Sequence, residues 1–388
     1  MLSKSTLIFL FLVFAFFEIL VTGCTSGTPK DTSDDNSLNT VMKNLKGTLG
    51  ELIPLVSSTD KYADKNNKNL ILEETHKLQQ WAHRIPKESF PKDPQFAYMS
   101  AHLEQDLKLA MDSYQLGQAE YSRSILKSSI SNCIGCHTTG PNGPQFQKNE
   151  FDSALAKMRP FEKAEFQTSL RQYEPALKNY LLSIQESDDS WKGSLQAERA
   201  AKSALAITVR FMNSPEESLK IADSVVKNPN SPAHLKQMAE QWKLDIATWK
   251  VTENKKINER PLGKKRPKSL LSQAESLSSA SEIGLYRRQA LLTKALASDL
   301  TPKERSQAYF LMGSSIDASK DLAWGGLSDV YYETCIRSTP HTTEAESCYE
   351  RLEDNVTLGF SGSSGVNLPP ELKVKLDELK ALAKLLNP

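Results

Sequence analysis

Residues 107–137 read LKLAMDSYQLGQAEYSRSILKSSISNCIGCH, and the fold turns on how this stretch is parsed. Leu107, Ala110 and Tyr114 continue an apolar stripe begun by Phe96, Met99 and Leu103, spaced three and four apart as one buried helix face requires. Gly117 opens a turn. A second stripe follows, with Ile125 or Leu126, Ile130, Cys133 and His137 on one side. The stretch reads as a helical hairpin whose second helix ends in two thiols and an imidazole within five residues.

Working back toward the N-terminus, Leu38, Met42, Leu45, Leu49 and Leu52 step by four, three, four and three, a helix face limited by Pro54. A polar loop from Ser57 to Asn69 leads to Ile71, Thr75, Leu78, Ala82 and Ile85, again at helical spacing and stopped by Pro86. Four amphipathic helices with short to moderate connections over residues 37–140 predict an up-down bundle. The run TTGPNGP (138–144) ends it.

The first 36 residues are of another kind. Lys4 precedes a nearly unbroken apolar run from Leu7 to Leu20, then VTGCTSGT, the order of charge, apolar stretch and small residues found in an export signal. Val21-Thr22-Gly23-Cys24 resembles a bacterial lipobox. The resemblance implies cleavage after residue 23, lipid on the Cys24 thiol and a flexible tether over 24–36. Three acyl chains exceed the two hydrophobic signals that stable anchoring needs. Thr25 resembles the outer-membrane sorting class of a two-membrane host. The expected location is the bacterial cell envelope, lipid-anchored and facing the periplasm.

The 388 residues exceed one ordinary core and suggest two or three units. A net charge of +1 gives no argument for a nucleic-acid partner. Past the N-terminus no apolar run approaches the ~18–20 residues of a membrane helix. The five cysteines then account for themselves. Cys24 carries lipid, Cys133 and Cys136 share a site, and Cys335 and Cys348 remain as a pair for an oxidising compartment. Bridging that pair closes a loop of about 14 residues, worth roughly 3 kcal/mol in the chain-entropy model. The alternative is two free thiols acting as small buried hydrophobes.

From residue 150 the chain is again helical, without strand alternation. The phrases SLKIADSVVKNPNSPAHLKQMAEQW (218–242) and LSDVYYETCIRSTPHTTEAESCYERL (327–352) each carry a helix, a proline, a polar turn and another helix. Ser328, Tyr332, Cys335 and Pro340, with Leu311-Met312-Gly313 before them, resemble a degenerate tetratricopeptide-like repeat. No clean 34-residue period runs through the region. Two helical repeat regions are expected, 150–252 and 270–388, the second with the disulfide. Between them ENKKINERPLGKKRPKS (253–269) reads as a solvated linker, or as a docking strip for lipid headgroups or an acidic partner. GFSGSSGVNLPP (359–370) reads as a flexible loop lacking the Gly-Lys-Ser/Thr ending of a phosphate loop. A helical solenoid without a catalytic constellation is a binding surface.

Three chemistries compete for Cys133, Cys136 and His137. A redox dithiol has no need of His137 and follows a strand, whereas here a helix precedes the motif. Zinc wants two further ligands, and no second Cys-x-x-Cys or His-x₃-His occurs. Covalent haem needs this spacing: two thiols a helical turn apart add across the two vinyl groups of one porphyrin, and the next residue supplies the proximal imidazole. One covalent haem c is the expected cofactor.

With the motif near the end of the last bundle helix, residues 37–139 resemble the cytochrome c-prime family, the four-helix-bundle c-type cytochromes. VMKNLKGTLGEL, HKLQQWAHRIPKESFPKDP and the hairpin quoted above carry the resemblance over about a quarter of the chain. It implies a haem bundle that is an electron carrier or gas binder rather than an enzyme, and in several relatives a homodimer. The sixth iron position stays open between Met42, as in electron-carrying relatives, an open apolar site as in c-prime proper, and a histidine (His76, His83 or His102). The family's Phe-Arg ending, whose arginine serves the haem propionates, is replaced by TTGPNGPQF; Lys43, Lys46 and Arg84 are candidate cations instead. His83 reads as a partly buried helix-end residue, and His234 and His341 as exposed turn residues. The functional expectation is an envelope-anchored c-type cytochrome for electron transfer or redox and gas sensing, its periplasmic partner docked on the helical repeats. The alternative is an envelope assembly or scaffold lipoprotein whose repeats do the work. A haem peroxidase would want a second haem motif or a distal acid–base pair.

Overall fold

A computed structural model describes residues 37–85, 95–138, 155–156, 158–188, 190–258, 269–319, 327–363 and 365–385. The described chain is all-α, with sixteen helices and one two-stranded hairpin pairing Ser361 with Val366 and Gly362 with Gly365. No described helix is long and apolar enough to cross a membrane. Residues 1–36, with Cys24, and most of the basic stretch lie outside the described residues.

The first core is a ring of four long helices: α1 (Leu38–Val56), α3 (Lys68–His83), α4 (Gln95–Gln115) and α5 (Ala119–Thr138). Val41, Leu45 and Leu52 of α1, Ile71, Leu78 and Ala82 of α3, Leu103, Leu107 and Ala110 of α4, and Ile125 and Leu126 of α5 fill it. The apolar face of α1 centres on Val41, which is fully buried; Met42 and Leu49 pack at its flank. The face is rotated by about one residue from the leucine–methionine stripe, because Val41, Thr48 and Leu55 also turn inward. Pro54 does not stop α1 before itself. It sits inside the last turn, two residues before the end. The residue four positions earlier is Gly50, whose carbonyl loses a donor to the proline ring but carries no side chain to crowd it.

The stretch Ser57–Asn69 is not simply a polar loop. It folds as α2 (Thr59–Ala63) and a single 3₁₀ turn (Lys65–Asn67), capped by the Ser58 and Asp64 side chains. α2 exists to deliver Tyr62, which is fully buried. Its ring meets Tyr114 edge-on at 5.1 Å, and its hydroxyl lies 2.7 Å from Ser122 Oγ. Ser122 in turn donates to the Ala110 carbonyl at 2.6 Å, and Tyr114 OH donates to the Tyr62 carbonyl at 3.2 Å. Burial pushes the Tyr62 phenol up to about 12.

Two ties fix the helix directions. Arg123 Nη1, early in α5, donates to the Val56 carbonyl at the end of α1 at 3.2 Å. Ser100 Oγ, early in α4, donates to the Ala82 carbonyl at the end of α3 at 3.4 Å. Neighbours therefore run antiparallel. The α4–α5 turn is a Schellman motif: Gln118 N–H bonds the Ser113 carbonyl and Gly117 N–H that of Tyr114, with Gly117 at φ 82°.

Two further large cores follow, besides a small one in which Ile53 of α1 packs with Leu155, Phe166 and Leu170. The second joins α6 (Pro160–Ser169), α7 (Tyr173–Gln185), α8 (Trp191–Ala206, continued by a π-helical turn at 207–211), α9 (Pro215–Lys227) and α10 (Ala233–Asn258). Ala197, Ala200, Ala201 and Ala204 give α8 a thin buried face that lets its neighbours approach. The third joins α11 (Leu270–Glu275), α12 (Glu282–Leu296), α13 (Pro302–Ser319), α14 (Leu327–Ser338), α15 (Thr343–Gly359) and α16 (Pro370–Ala383). Ser328, Tyr332 and Cys335 all face inward from α14. The Tyr332 ring lies so close over Gly313 that a Cβ there would stand 2.7 Å from it, so only glycine fits. Cys335 and Cys348 form a disulfide joining α14 to α15.

The cores do not follow chain order. Ile283 and Tyr286 of α12 belong to the second core, and α10 runs on through Asn258 into the stretch read as a linker. The helices on either side of 253–269 thus share one interior. α4 is likewise divided: Leu103 to Tyr114 serve the bundle, while Met99 is fully buried in the third core with Phe96 and Tyr98 packed on it.

Candidate functional site

At 100° per residue, positions 133, 136 and 137 fall within about a 100° arc of α5, in its last two turns. The Cys133 thiol is free and half-buried. Burial pushes it up to about 11. His137 is half-buried at the end of the helix. Two thiol residues and one imidazole in a single arc fit the donor set that covalent haem asks for, two vinyl acceptors and one axial nitrogen.

The end of α5 is held from two sides. Arg171 Nη1 donates to the His137 carbonyl at 3.3 Å. Arg171 lies in the turn between α6 and α7, near Tyr173, whose ring stacks on Phe211 at 4.9 Å. On the other side Asn132, buried and adjacent to Cys133, donates from Nδ2 to Asp106 Oδ2 at 3.1 Å. Asp106 Oδ1 stands 3.7 Å from His102 Nδ1. Burial works against a charge on His102, and the Asp106 carboxylate more than offsets it, so the imidazole is held above its ordinary value. His102 also faces Asp329 of α14 and Lys375 of α16. Burial pushes the Asp329 carboxyl up, while Asn355 Nδ2, 2.9 Å from its Oδ1, pulls the other way.

Counting back from the Arg123–Val56 tie places Met42 and His137 toward the same end of α1 and α5. Val56 and Arg123 are bonded across the antiparallel α1 and α5. Met42 lies fourteen residues before Val56 and His137 fourteen after Arg123, each about 21 Å along its helix. Met42 packs half-buried beside the fully buried Val41.

The three histidines weighed as distal ligands are engaged elsewhere. His76 is exposed beside Gln80, His83 is exposed with Nδ1 2.9 Å from Glu104 Oε1, and His102 faces the third core. His83 is thus a helix-end residue but not a partly buried one. His234 lies on α10 near Glu198 rather than in a turn, and His341 is a half-buried left-handed turn residue whose Nδ1 is 2.9 Å from the Lys384 carbonyl. Of the candidate cations, Lys43 is exposed and Arg84 lies over the Trp81 ring at 4.8 Å. Among the described residues no three His, Cys, Asp or Glu side chains converge as a metal cluster.

No protein-family model, curated protein or solved structure matches the chain. The residues around the motif that sequence reading missed are Arg171, Asn132 and Asp106. Asn132 and Asp106 sit at polar positions of otherwise amphipathic helices, where a solvated side chain is the default. Arg171 is 34 residues from His137, in a turn with no local signal for it.

Proposed function

We propose that this chain is a c-type cytochrome carrying one haem c. Cys133 and Cys136 hold the porphyrin through thioethers and His137 is the proximal ligand. The bundle is anchored through lipid on Cys24 to a bacterial envelope and faces the periplasm. It exchanges electrons with, or reports redox or gas state to, a partner protein bound on the tetratricopeptide-like helices. The observation that supports this best is the donor arc at the C-terminal end of the last helix of a four-helix bundle. A bound haem supplies an iron centre that cycles between ferric and ferrous states. The chain's own part is to fix the imidazole, shield the ring from water with the Val41–Met42 face, and set the local charge.

The test is a pyridine haemochrome assay with haem staining on a denaturing gel, using protein matured in an envelope with haem-attachment machinery. One haem per chain is expected, lost in Cys133→Ser/Cys136→Ser; a colourless wild type overturns the reading. For the sixth position we propose Met42, which lies toward the same end of the bundle as His137. A methionine–iron charge-transfer band should appear in the oxidised protein and vanish in Met42→Ala. The fully buried Val41 beside Met42 favours a second reading, an open apolar site, for which a high-spin ferric spectrum in the unmutated protein is the sign.

A further inference from the structure

Two helix ends in this molecule close with the same backbone motif and different residues. At the end of α4, Gly117 occupies the left-handed position, as is usual. At the end of α6, Gln172 N–H bonds the Gln167 carbonyl and Arg171 N–H bonds that of Thr168, the same pair of bonds, yet the left-handed residue is Arg171 at φ 59°. A side chain with a Cβ is disfavoured there. A strained residue persists when something else requires it. What this one does is reach out of its own hairpin to the carbonyl of His137.

We infer that Arg171 is a positioning residue of the haem site: its guanidinium, supplied by the second helical region, caps α5 at the proximal ligand and biases the iron toward the ferrous state. The inference rests on the functional reading above. Its physics is that of a fixed cation at a helix C-terminus. The last carbonyls of α5 lack intrahelical donors and carry the negative end of the helix dipole, so a guanidinium there is held by hydrogen bonding and charge together. The ferric centre carries one more positive charge than the ferrous one. A cation fixed beside its ligand opposes oxidation, by roughly three- to tenfold in the reduction equilibrium constant at an effective dielectric of about 20. The bundle by itself has no such group in the sequence after His137, which continues TTGPNGPQF. The site is therefore completed by α6–α7.

The backbone gives a clean test, because Arg171→Gly removes the cation while relieving the left-handed strain, so the variant folds. Haem content is first measured by pyridine haemochrome on each protein. In haem-loaded samples at low salt, Arg171→Gly and Arg171→Gln should have a lower reduction potential than wild type, Arg171→Lys should recover most of it, and high salt should shrink the differences. In the haem-free Cys133→Ala/Cys136→Ala chain, Arg171→Gly should raise amide hydrogen exchange in the last turn of α5 several-fold. A merely structural cap predicts the exchange change with equal potentials. Equal potentials in haem-loaded wild type and Arg171→Gly overturn the inference and leave the cytochrome reading standing; a colourless wild type overturns both.

Discussion

The two ends of the four-helix bundle are built on different plans. At one end Tyr62, Tyr114, Ser122 and the Ala110 carbonyl make a knot of aromatic contact and hydrogen bonds drawn wholly from the bundle. At the other end lie the termini of α1 and α5, with Met42, Cys133 and His137, and besides the Asn132–Asp106 bond within the bundle the supports come from outside: Arg171 from the α6–α7 turn and Asp329 and Lys375 facing His102 from α14 and α16. The knot at the first end is made of the bundle's own residues, although Ile53, near the end of α1, also packs with Leu155, Phe166 and Leu170 from beyond it. The other end is braced by the remainder of the chain, which ties the end carrying Cys133 and His137 to the second half of the molecule.

The sharpest way to break this contrast is at the closed end. Tyr62→Ala should cost about 3–5 kcal/mol, since it empties a fully buried aromatic site and removes the hydroxyl that bonds Ser122 Oγ. Tyr62→Phe keeps the ring and should cost about 1–3 kcal/mol. Denaturant unfolding checks both, and a Tyr62→Ala cost below the Tyr62→Phe range would show that the knot does not hold this end.

The next effect tests the bracing. α14 is packed on α4 and tied to α15 by the Cys335–Cys348 bridge, whose residues are both fully buried. Cys335→Ser/Cys348→Ser should lower stability by about 2–4 kcal/mol. If the third core supports the open end, amide exchange at Asn132 to His137 rises in this variant while that at Tyr62 does not. Equal change at both ends would erase the distinction.

A smaller effect is expected at the α4–α5 turn. Gly117→Ala places a Cβ at φ 82° and should cost about 1–2 kcal/mol. No neighbouring atom lies within 4 Å of that Cβ, so the loss is one of backbone conformation alone. A neutral result in thermal unfolding would mean that the turn adapts.

What the sequence revealed and what it hid follow one physical line. Ile71, Thr75, Leu78, Ala82 and Ile85 are buried as their spacing predicts, because a helix pays for one face with one periodicity. The same holds for Met99, Leu103, Leu107, Ala110 and Tyr114. Periodicity says that a face is covered, not by what. That is why the division of α4 between two cores at Met99 was not legible, nor the joining of α10 and α12 into one interior across residues 253–269. Tyr62 was hidden behind Thr59, Asp60 and Lys61 in a five-residue helix with too few turns to show a stripe. The candidate site divides in the same way. Cys133, Cys136 and His137 are contiguous and visible, whereas Arg171, Asp106 and His102 act through contacts that only the packed chain creates.

The last prediction uses pH to separate the two ends. His102 is held above its ordinary value, so it binds its proton more tightly folded than unfolded. Its contribution to stability is therefore complete below about pH 6.5 and is lost as pH rises through the folded value. The groups that face it are Asp106 on its own helix, Asp329 on α14 and Lys375 on α16, and the first two favour its charge while Lys375 opposes it. Asp329 is also raised, by burial, so its own proton linkage has the same sign as that of His102. Thermal midpoints taken across the neutral range should fall with rising pH, and His102→Gln should remove that part of the slope. Asp329→Asn takes away a charge that stabilises the imidazolium, so the same fall should begin at lower pH. Because Asn132 reaches Asp106 from the residue beside Cys133, the exchange of α5's last turns should follow the His102 titration, while exchange around Tyr62 stays flat. A slope unchanged by His102→Gln would mean that His102 does not brace α4 against α14, and the contrast would then rest on Arg171 alone.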